Sequence, residues 1–369
     1  MHLFIVSEKT LPVHLHYSFA GVMKRNDCSW QNVTVNAQSE RSQASMYADI
    51  CRVHKGDEIL FYLERTSNDH SREGGRFLGI FEVDSAFPFY EENGTYLKDE
   101  LDISLIYRLL IKPKVIYSSG ISEWQTMDEM TDMKSIYDIP WTLIYRKMTA
   151  GRGCTPLLPH ESKTIKKMLD LRNGGQKSSF KAIAFDQENL KLIEADQPNA
   201  TYLNVPDTID RIDDHLKNLM TNTDRRWELQ LQAYLMQEIK RNAELTELLF
   251  PQVEITWIGN EIYAGAGMQS MDILIFSENE LNSFIHLIEL KSVQADASAA
   301  SQLNRYIKWV KAHIPDVSNH QIIPTIIAPE INDSFNEEIT IYLRGHGITQ
   351  YRTIVVNNDL NFTQTICQI

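Results

Sequence analysis

Three ionisable side chains with chemical potential lie in residues 271–291: Asp272, Glu289 and Lys291. The run MDILIFSENELNSFIHLIELK has two apolar segments around a polar turn, which predicts an antiparallel β-hairpin. With the turn centred on 280–281, Asp272 lies opposite Glu289, at a Cβ separation of roughly 5 Å. Because side chains alternate along a strand, Lys291 shares a face with Glu289.

This arrangement has the chemistry of a cation site. Two carboxylates so close repel each other unless a cation lies between them, and hard divalent metals such as Mg²⁺ and Mn²⁺ prefer oxygen ligands. A metal held by Asp272 and Glu289 lowers the pKa of water and stabilises charge on a phosphodiester. The pattern predicts metal-dependent phosphodiester hydrolysis. The alternative is an exposed Glu289–Lys291 ion pair with no ligand.

Two predicted helices are expected to complete this site. Glu228 lies early in the helical run WELQLQAYL and is expected to reach the metal through water, as a third ligand. Gln302 and Tyr306 are four residues apart in ASAASQLNRYIKWVKAH, so they share one helix face. These two are expected to orient Lys291 or to contact a phosphate; for Tyr306, packing in the core is the alternative.

The order of these residues resembles the PD-(D/E)XK nuclease superfamily. The resemblance is carried by Glu228, Asp272, Glu289-Leu290-Lys291 and Gln302-x-x-x-Tyr306. The Gln-Tyr helix resembles the RecB-like and NucS-like branches, and the likeness covers roughly residues 205–330, with Met271 in place of a proline before the aspartate. It implies cleavage of DNA with Mg²⁺ or Mn²⁺, with Asp272, Glu289 and Lys291 as the core of the site.

A second resemblance covers about residues 1–170. It is carried, in order, by FIVSEK, CSWQNV, GDEILFYLE, RFLGIFEV, YRLLIKPKVIY and PWTLIYRKMTAGRGCTPLLPHES. These segments are similar to the EVE domain, a PUA-like relative of the YTH readers, except that Gln31-Asn32 replace an acidic-glycine pair after Trp30. The resemblance implies a pocket that takes a flipped, modified base from nucleic acid.

Such a pocket needs flat aromatic surfaces and hydrogen-bonding groups at the edge of the base. The predicted base-binding residues are Ser7, Trp30, Asn32, Tyr62 and Trp141. The two tryptophans are expected to sandwich the base, and the other three to read its edge. The predicted phosphate-binding residues are Arg146, Lys147 and Arg152. For the aromatic residues the alternative is core packing, which is favoured most for Tyr62 in its apolar strand.

The net charge of −13 is unevenly distributed. Residues 1–170 carry 20 Lys and Arg against 23 Asp and Glu, whereas residues 171–369 carry 16 against 26. The first half has local basic clusters, such as Arg108, Lys112 and Lys114, which suit phosphate groups unless they are only solvated faces. The acidic second half suits an enzyme that recruits cations to its carboxylates.

The predicted fold class is mixed, α+β or α/β, in three parts. Residues 1–170 are expected to form a PUA-like (EVE) β-barrel with helices, in which the strand LIYRLLIKPKVIY breaks at Pro113. Residues 171–204, which include RNGGQKSS, are expected to form a linker with a possible β-hairpin. Residues 205–369 are expected to form the PD-(D/E)XK-like mixed sheet, flanked by helices.

Neither a membrane span nor a signal peptide is predicted from this sequence. No apolar run reaches the length of a membrane span, and the N-terminus has no basic region of a signal peptide. The four cysteines, Cys28, Cys51, Cys154 and Cys367, form no CxxC motif. These features favour a cytoplasmic protein with reduced thiols and no membrane partner.

Together, these patterns predict an endonuclease for modification-dependent restriction of foreign DNA, whose EVE-like domain recognises a modified cytosine. Cleavage of both strands needs two active sites, so a homodimer is expected. Three alternatives remain: a NucS-like mismatch or repair endonuclease, a sequence-specific restriction endonuclease, and a reader of modified bases without catalytic activity.

Overall fold

The computed structural model contains two compact units, Met1–Asp210 and Arg211–Ile369. Each has its own sheet, and the fold class is mixed α+β, as the sequence predicts. The structure describes residues 1–23, 37–65, 74–91, 96–130, 135, 137, 153–203, 205, 210–222, 226–264 and 269–369. Within these ranges, no helix combines the length and the apolar character that a membrane span requires.

An eight-stranded sheet forms the centre of the first unit. Its strands are β1 (His2–Val6), β2 (Phe19–Met23), β3 (Glu58–Leu63), β4 (Arg76–Val83), β5 (Phe89–Tyr90), β6 (Leu105–Val115), β7 (Ile121–Ser122) and β8 (Cys154–Pro156). The order is β2-β6-β4-β3-β1-β8, with β5 beside β6 and β7 beside β4. The pair β1–β3 is parallel and the other pairs are antiparallel.

Helices cover this sheet. They are α1 (Thr10–His16), α2 (Ala37–Cys51), α3 (Lys98–Leu101), α4 (Glu123–Met130) and α5 (Pro159–Arg172). One core cluster joins Ile165 and Leu169 of α5 to Leu3, Leu60 and Phe77 on three neighbouring strands. Burying side chains of this size contributes roughly 1.5–3 kcal/mol each, so α5 is an integral part of the unit.

The expected break at Pro113 is wrong, because β6 continues through this residue. Pro113 pairs with Phe81 of β4, and the register shifts between Ile80 and Phe81. Such an irregularity leaves a backbone group outside the ladder. A residue without an N–H is therefore tolerated at this point of the strand.

The segment predicted as a linker begins with an ordered helix end. Gly174 and Gly175, with φ of 58° and 75°, follow Asn173, the residue that caps the C-terminus of α5. The N–H of Gly175 donates to Asp170 O at 2.9 Å, the hydrogen bond that closes many helix C-termini. The glycines that suggest flexibility in the sequence therefore end a helix instead, because both adopt left-handed backbone angles.

The rest of this segment belongs to the first unit. It contains the predicted hairpin, β9 (Ile183–Asp186) and β10 (Lys191–Glu194). Beyond the hairpin, Asn199 Nδ2 donates to Leu15 O at 2.5 Å, and Tyr202 accepts a hydrogen bond from Arg108. The first unit accordingly extends to Asp210, whereas the sequence-based boundary is residue 170.

Arg108 does not belong to a phosphate-binding cluster, in contrast to the sequence-based expectation. Its side chain is 0% exposed and donates to Leu105 O at 2.6 Å, to Tyr96 O at 2.7 Å and to the Tyr202 hydroxyl at 2.7 Å. The other two members of the cluster, Lys112 and Lys114, form ion pairs with Glu82 at 2.9 and 3.1 Å. All three cations therefore have partners within the protein.

A six-stranded sheet forms the centre of the second unit. Its strands are β11 (Glu254–Tyr263), β12 (Ser270–Glu278), β13 (Ser283–Leu290), β14 (His320–Ala328), β15 (Gln350–Val356) and β16 (Phe362–Gln368). Its helices are α6 (Asp213–Met220), α7 (Glu228–Glu238), α8 (Ala243–Leu249), α9 (Ala297–His313) and α10 (Asp333–His346), with a 3₁₀ turn at Val317–Asn319. The strands follow in chain order, β11 to β16.

Strand direction changes across this sheet. The pairs β13–β14 and β14–β15 are parallel, whereas β11–β12, β12–β13 and β15–β16 are antiparallel. The helices α9 and α10 make the crossovers that parallel neighbours require. The antiparallel hairpin β12–β13 thus lies next to parallel strands, with β13 almost wholly buried in the middle of the sheet.

Candidate active site

The hairpin β12–β13 has the predicted register. Ile273 pairs with Ile288 and Glu278 with Ser283, so Asp272 and Glu289 occupy the next opposed positions. The side chain of Asn279 closes the turn, because its Oδ1 accepts the N–H groups of residues 281 and 282 at 3.0 and 2.8 Å. Burial of the apolar residues fixes this register, since a slip of one residue would turn every side chain to the other face.

Both carboxyl groups are in a desolvated environment. Glu289 is 1% exposed, and its Oε2 is buried without a hydrogen-bond partner. Burial raises the pKa of Glu289 to about 7, against the opposing effect of Lys291. Burial, together with the charge of Glu289, raises the pKa of Asp272 well above its usual range. The alternative of an exposed ion pair is therefore wrong for Glu289.

Lys291 completes the predicted core of the site. Its Nζ donates to Glu289 Oε1 at 2.5 Å and to Gln302 Oε1 at 3.1 Å. Burial lowers the pKa of Lys291, but the charges of Glu289, Asp272 and Glu228 outweigh this effect and raise it. The side chain is therefore held as a cation against the carboxylates.

A chain of hydrogen bonds holds Lys291 from α9. Gln302 accepts from Lys291 with its oxygen and donates its Nε2 to the Tyr306 hydroxyl at 2.8 Å. The Tyr306 hydroxyl donates in turn to Ser270 O, at 2.6 Å, on the first residue of β12. The ring of Tyr306 is buried, so this residue packs in the core and also orients the site. Of the two roles expected for Gln302 and Tyr306, these contacts match the orientation of Lys291.

Glu228 contacts the segment that follows β13. It is the first residue of α7, and its Oε1 accepts the N–H of Ser292 at 3.1 Å and the Ser292 hydroxyl at 3.3 Å. Over the described parts of the chain, no group of three or more His, Cys, Asp or Glu side chains is placed to hold a metal ion. Glu228 therefore contacts the residue that follows Lys291, and its charge contributes to the raised pKa of both Asp272 and Glu289.

Two residues absent from the sequence-based site also contact it. Gln232 of α7 donates its Nε2 to Asp272 O at 2.9 Å, and Ser292 contacts Glu228. Gln232 lies four residues after Glu228, and this helical spacing is the signal that could have found it. For Ser292 the sequence carries no such signal, because its role depends on the packing of α7 against the hairpin.

The predicted base-binding residues are described only in part. Tyr62 is 4% exposed in the core and donates its hydroxyl to Glu123 Oε1 at 2.5 Å, which matches the core alternative. Ser7 is half-buried three residues before α1, and its Oγ accepts the N–H of Thr10, the first residue of that helix, at 3.2 Å. Outside the described residues lie Trp30, Asn32, Trp141, Arg146, Lys147 and Arg152.

No protein-family description and no curated protein matches the chain. Solved structures that match include a hypothetical protein from Leishmania major, with 11% identity and a TM-score of 0.29, over 47% of this chain and 96% of that one. Apo EndoMS matches with 18% identity and a TM-score of 0.21, over 31% and 46%. The restriction endonuclease FokI matches with 10% identity and a TM-score of 0.26, over 53% and 36%. These TM-scores are too low to establish a fold family or a function.

Proposed function

We propose that the second unit is a metal-dependent endodeoxyribonuclease, a phosphodiester hydrolase of the PD-(D/E)XK type. One observation carries this proposal: two carboxyl groups, the buried Glu289 and the half-buried Asp272, lie on adjacent strands, with the Lys291 ammonium in contact with Glu289. Such a cluster of like charges is costly to bury without function. Perturbed titratable groups of this kind are typical of active sites.

The residues present fit a hard divalent cation, Mg²⁺ or Mn²⁺. Glu289 Oε2 is a buried oxygen without a donor, which a cation would satisfy. Asp272 and Glu289 would hold the ion, and Mg²⁺ sites commonly combine one or two carboxylates with water and substrate phosphate. When bound, the ion lowers the pKa of water in the site and offsets charge on the phosphodiester.

The chain's own groups supply the remaining functions. Lys291 places a positive charge beside the carboxylates, where it binds a phosphate oxygen as negative charge develops. Gln302 and Tyr306 hold the ammonium beside Glu289, through hydrogen bonds that end at Ser270 on β12. Placement of this precision before the substrate binds is a large part of catalysis in phosphate chemistry.

Cleavage of duplex DNA in Mg²⁺, Mn²⁺ and EDTA tests the proposal. We expect cleavage with either metal and none in EDTA. Glu289→Ala and Lys291→Ala should abolish cleavage and leave DNA binding within about threefold of wild type, because binding by the first unit does not depend on them. Glu278→Gln is the matched control, since Glu278 is an exposed acid at the other end of the hairpin. Cleavage that persists in EDTA would refute the metal-dependent reaction.

We propose further that the first unit is an EVE-like reader that directs cleavage to DNA with a modified cytosine, in modification-dependent restriction. The support is the sequence resemblance over residues 1–170. Substrates with 5-methylcytosine, 5-hydroxymethylcytosine and unmodified cytosine test it, and Trp30→Ala should reduce discrimination among them. Preferential cleavage of mismatched duplexes would favour a repair endonuclease, and cleavage of unmodified DNA at a fixed site would favour a sequence-specific enzyme.

We propose that the active form on duplex DNA is a homodimer, because each site cuts one strand. The experiment is light scattering of the protein, alone and with a duplex of stated length, beside the cleavage assay. A mass of two chains on DNA with cleavage of both strands supports the dimer. Binding without cleavage under every metal condition would identify a reader without catalytic activity.

A further inference from the structure

The helix α7 contacts both arms of the active-site hairpin with one face. Glu228 and Gln232 are four residues apart, so their side chains project from the same side of the helix. Gln232 Nε2 donates to the backbone oxygen of Asp272 at 2.9 Å, on β12. Glu228 Oε1 accepts from the N–H and hydroxyl of Ser292, the residue after Lys291.

Two hydrogen bonds orient the side-chain amide of Gln232. It is 1% exposed, and its Oε1 accepts from Asn260 Nδ2 at 3.4 Å, on β11. Asn260 is fully buried and pairs with Ile273, the neighbour of Asp272. Because a buried amide without partners is costly, the contact with Asn260 sets the Gln232 amide with its nitrogen toward Asp272 O.

We infer that α7 sets the separation between Asp272 and Lys291, with Gln232, Glu228 and Ser292 as positioning residues. In this assignment Glu228 holds the backbone of Ser292 and is not a cation ligand. The catalytic consequence rests on the proposed function, whereas the backbone contacts do not. The hydrogen bonds of α9 fix the Lys291 side chain, and those of α7 fix the backbone on either side of the site.

The two amide-bearing residues of α7 allow a matched experiment. Gln237, also buried on this helix, accepts the N–H of Ile212 at 3.0 Å and donates to Asp213 at 2.8 Å, and both partners lie outside the hairpin. Gln232→Leu should lower kcat for DNA cleavage by about 10- to 100-fold with KM within about threefold, because a small displacement of reacting groups has effects of this size. Gln237→Leu should keep kcat within about threefold.

Circular dichroism at the assay temperature establishes that both variants are folded. Equal losses of kcat in the two variants would overturn the assignment of Gln232, because they would reflect the general cost of losing a buried amide.

Glu228 is tested with Mn²⁺ alone, without DNA. Glu228→Gln keeps an oxygen that accepts the Ser292 hydrogen bonds, whereas Glu228→Leu removes it. Mn²⁺ titrations followed by electron paramagnetic resonance should show an affinity within about tenfold of wild type for Glu228→Gln. Asp272→Asn should lower the affinity by at least about 100-fold. An equal loss in Glu228→Gln and Asp272→Asn would identify Glu228 as a ligand and overturn the inference.

Amide hydrogen exchange at Ser292 separates the positioning role from nuclease activity. Its N–H donates to Glu228, so exchange should be at least about tenfold faster in Glu228→Leu and near the wild-type rate in Glu228→Gln. If wild type exchanges as expected but cuts no DNA, the proposed function fails and the backbone role of α7 stands. If exchange at Ser292 is the same in all three proteins, that role is refuted.

Discussion

Leu290 donates its backbone N–H to Asp272 Oδ2 at 2.7 Å, across the hairpin β12–β13. The bond ties the carboxylate of one strand to the residue that follows Glu289 on the other. It lowers the pKa of Asp272, but burial and the charge of Glu289 have the larger effect in the opposite direction. The hairpin thus orients a carboxyl group whose charged form is poorly stabilised by its surroundings.

Asp272→Asn separates the orientation of this side chain from its charge. The amide oxygen can still accept the Leu290 N–H, but no longer binds a cation strongly, so we expect cleavage to fall by about 10³-fold. In EDTA at pH 8, the free energy of unfolding should rise by roughly 1–2 kcal/mol, because a buried charge is removed. Rates and urea unfolding measure the two effects. A less stable variant would show that the Asp272 carboxylate is well compensated without metal.

Tyr306→Phe removes the hydroxyl that joins Gln302 to Ser270. We expect about tenfold slower cleavage, because Lys291 loses the support of an oriented Gln302, and a loss of about 1–2 kcal/mol in stability. The control is Tyr342→Phe. It removes a hydroxyl of α10 that lies 3.2 Å from Ser301 Oγ, and Ser301 is on α9, the helix that carries Tyr306. Equal effects on cleavage in the two variants would argue against the orienting role.

The sequence predicts the hairpin and its register because the signals are local. Two apolar strands flank a turn at Asn279–Asn282, and burial of one alternating set of residues allows a single register. The pairing of Asp272 with Glu289 follows from that register, and the position of Lys291 follows from the alternation of side chains along the strand. The grouping of Gln302 and Tyr306 also follows from local spacing, since four residues make about one helical turn.

Features that depend on packing are not readable from local patterns. Nothing near Ser292 indicates that a helix end at Glu228 contacts it. Likewise, glycines occur both in flexible linkers and at helix ends. The sequence alone does not distinguish these two roles for Gly174 and Gly175, whereas the packed helix α5 does. Arginine is usually a surface residue, yet the Arg108 side chain is fully buried and its guanidinium lies over an aromatic ring.

Arg108→Met should destabilise the first unit by about 3 kcal/mol or more, because it leaves the carbonyl groups of Leu105 and Tyr96 and the Tyr202 hydroxyl without their donor. The segment around Tyr202 should also become sensitive to limited proteolysis. Lys112→Met, at a half-exposed ion pair, should change stability by less than about 0.5 kcal/mol. Unchanged proteolysis in Arg108→Met would show that other contacts hold this segment.

A buried histidine should make the first unit less stable in mild acid. His14 lies between the rings of Phe19 and Phe61, at 4.5 and 5.6 Å, and its Nδ1 donates to Phe19 O at 3.0 Å. Burial lowers the pKa of His14 to about 3, from 6.5. Since the unfolded chain takes up this proton first, the contribution of neutral His14 to stability is complete above pH 6.5. It decreases as the pH falls toward 3.

His14→Asn tests this prediction, because the Asn amide can replace the Nδ1 donor and does not titrate. Between pH 7.5 and pH 5.0, wild type should lose about 2 kcal/mol more of its free energy of unfolding than the variant. Urea unfolding at the two pH values measures the difference. His16→Asn, at an exposed position on the same helix, should follow wild type. If wild type and His14→Asn lose equal stability, His14 is protonated in the folded protein at pH 5.0, and its ring is solvated.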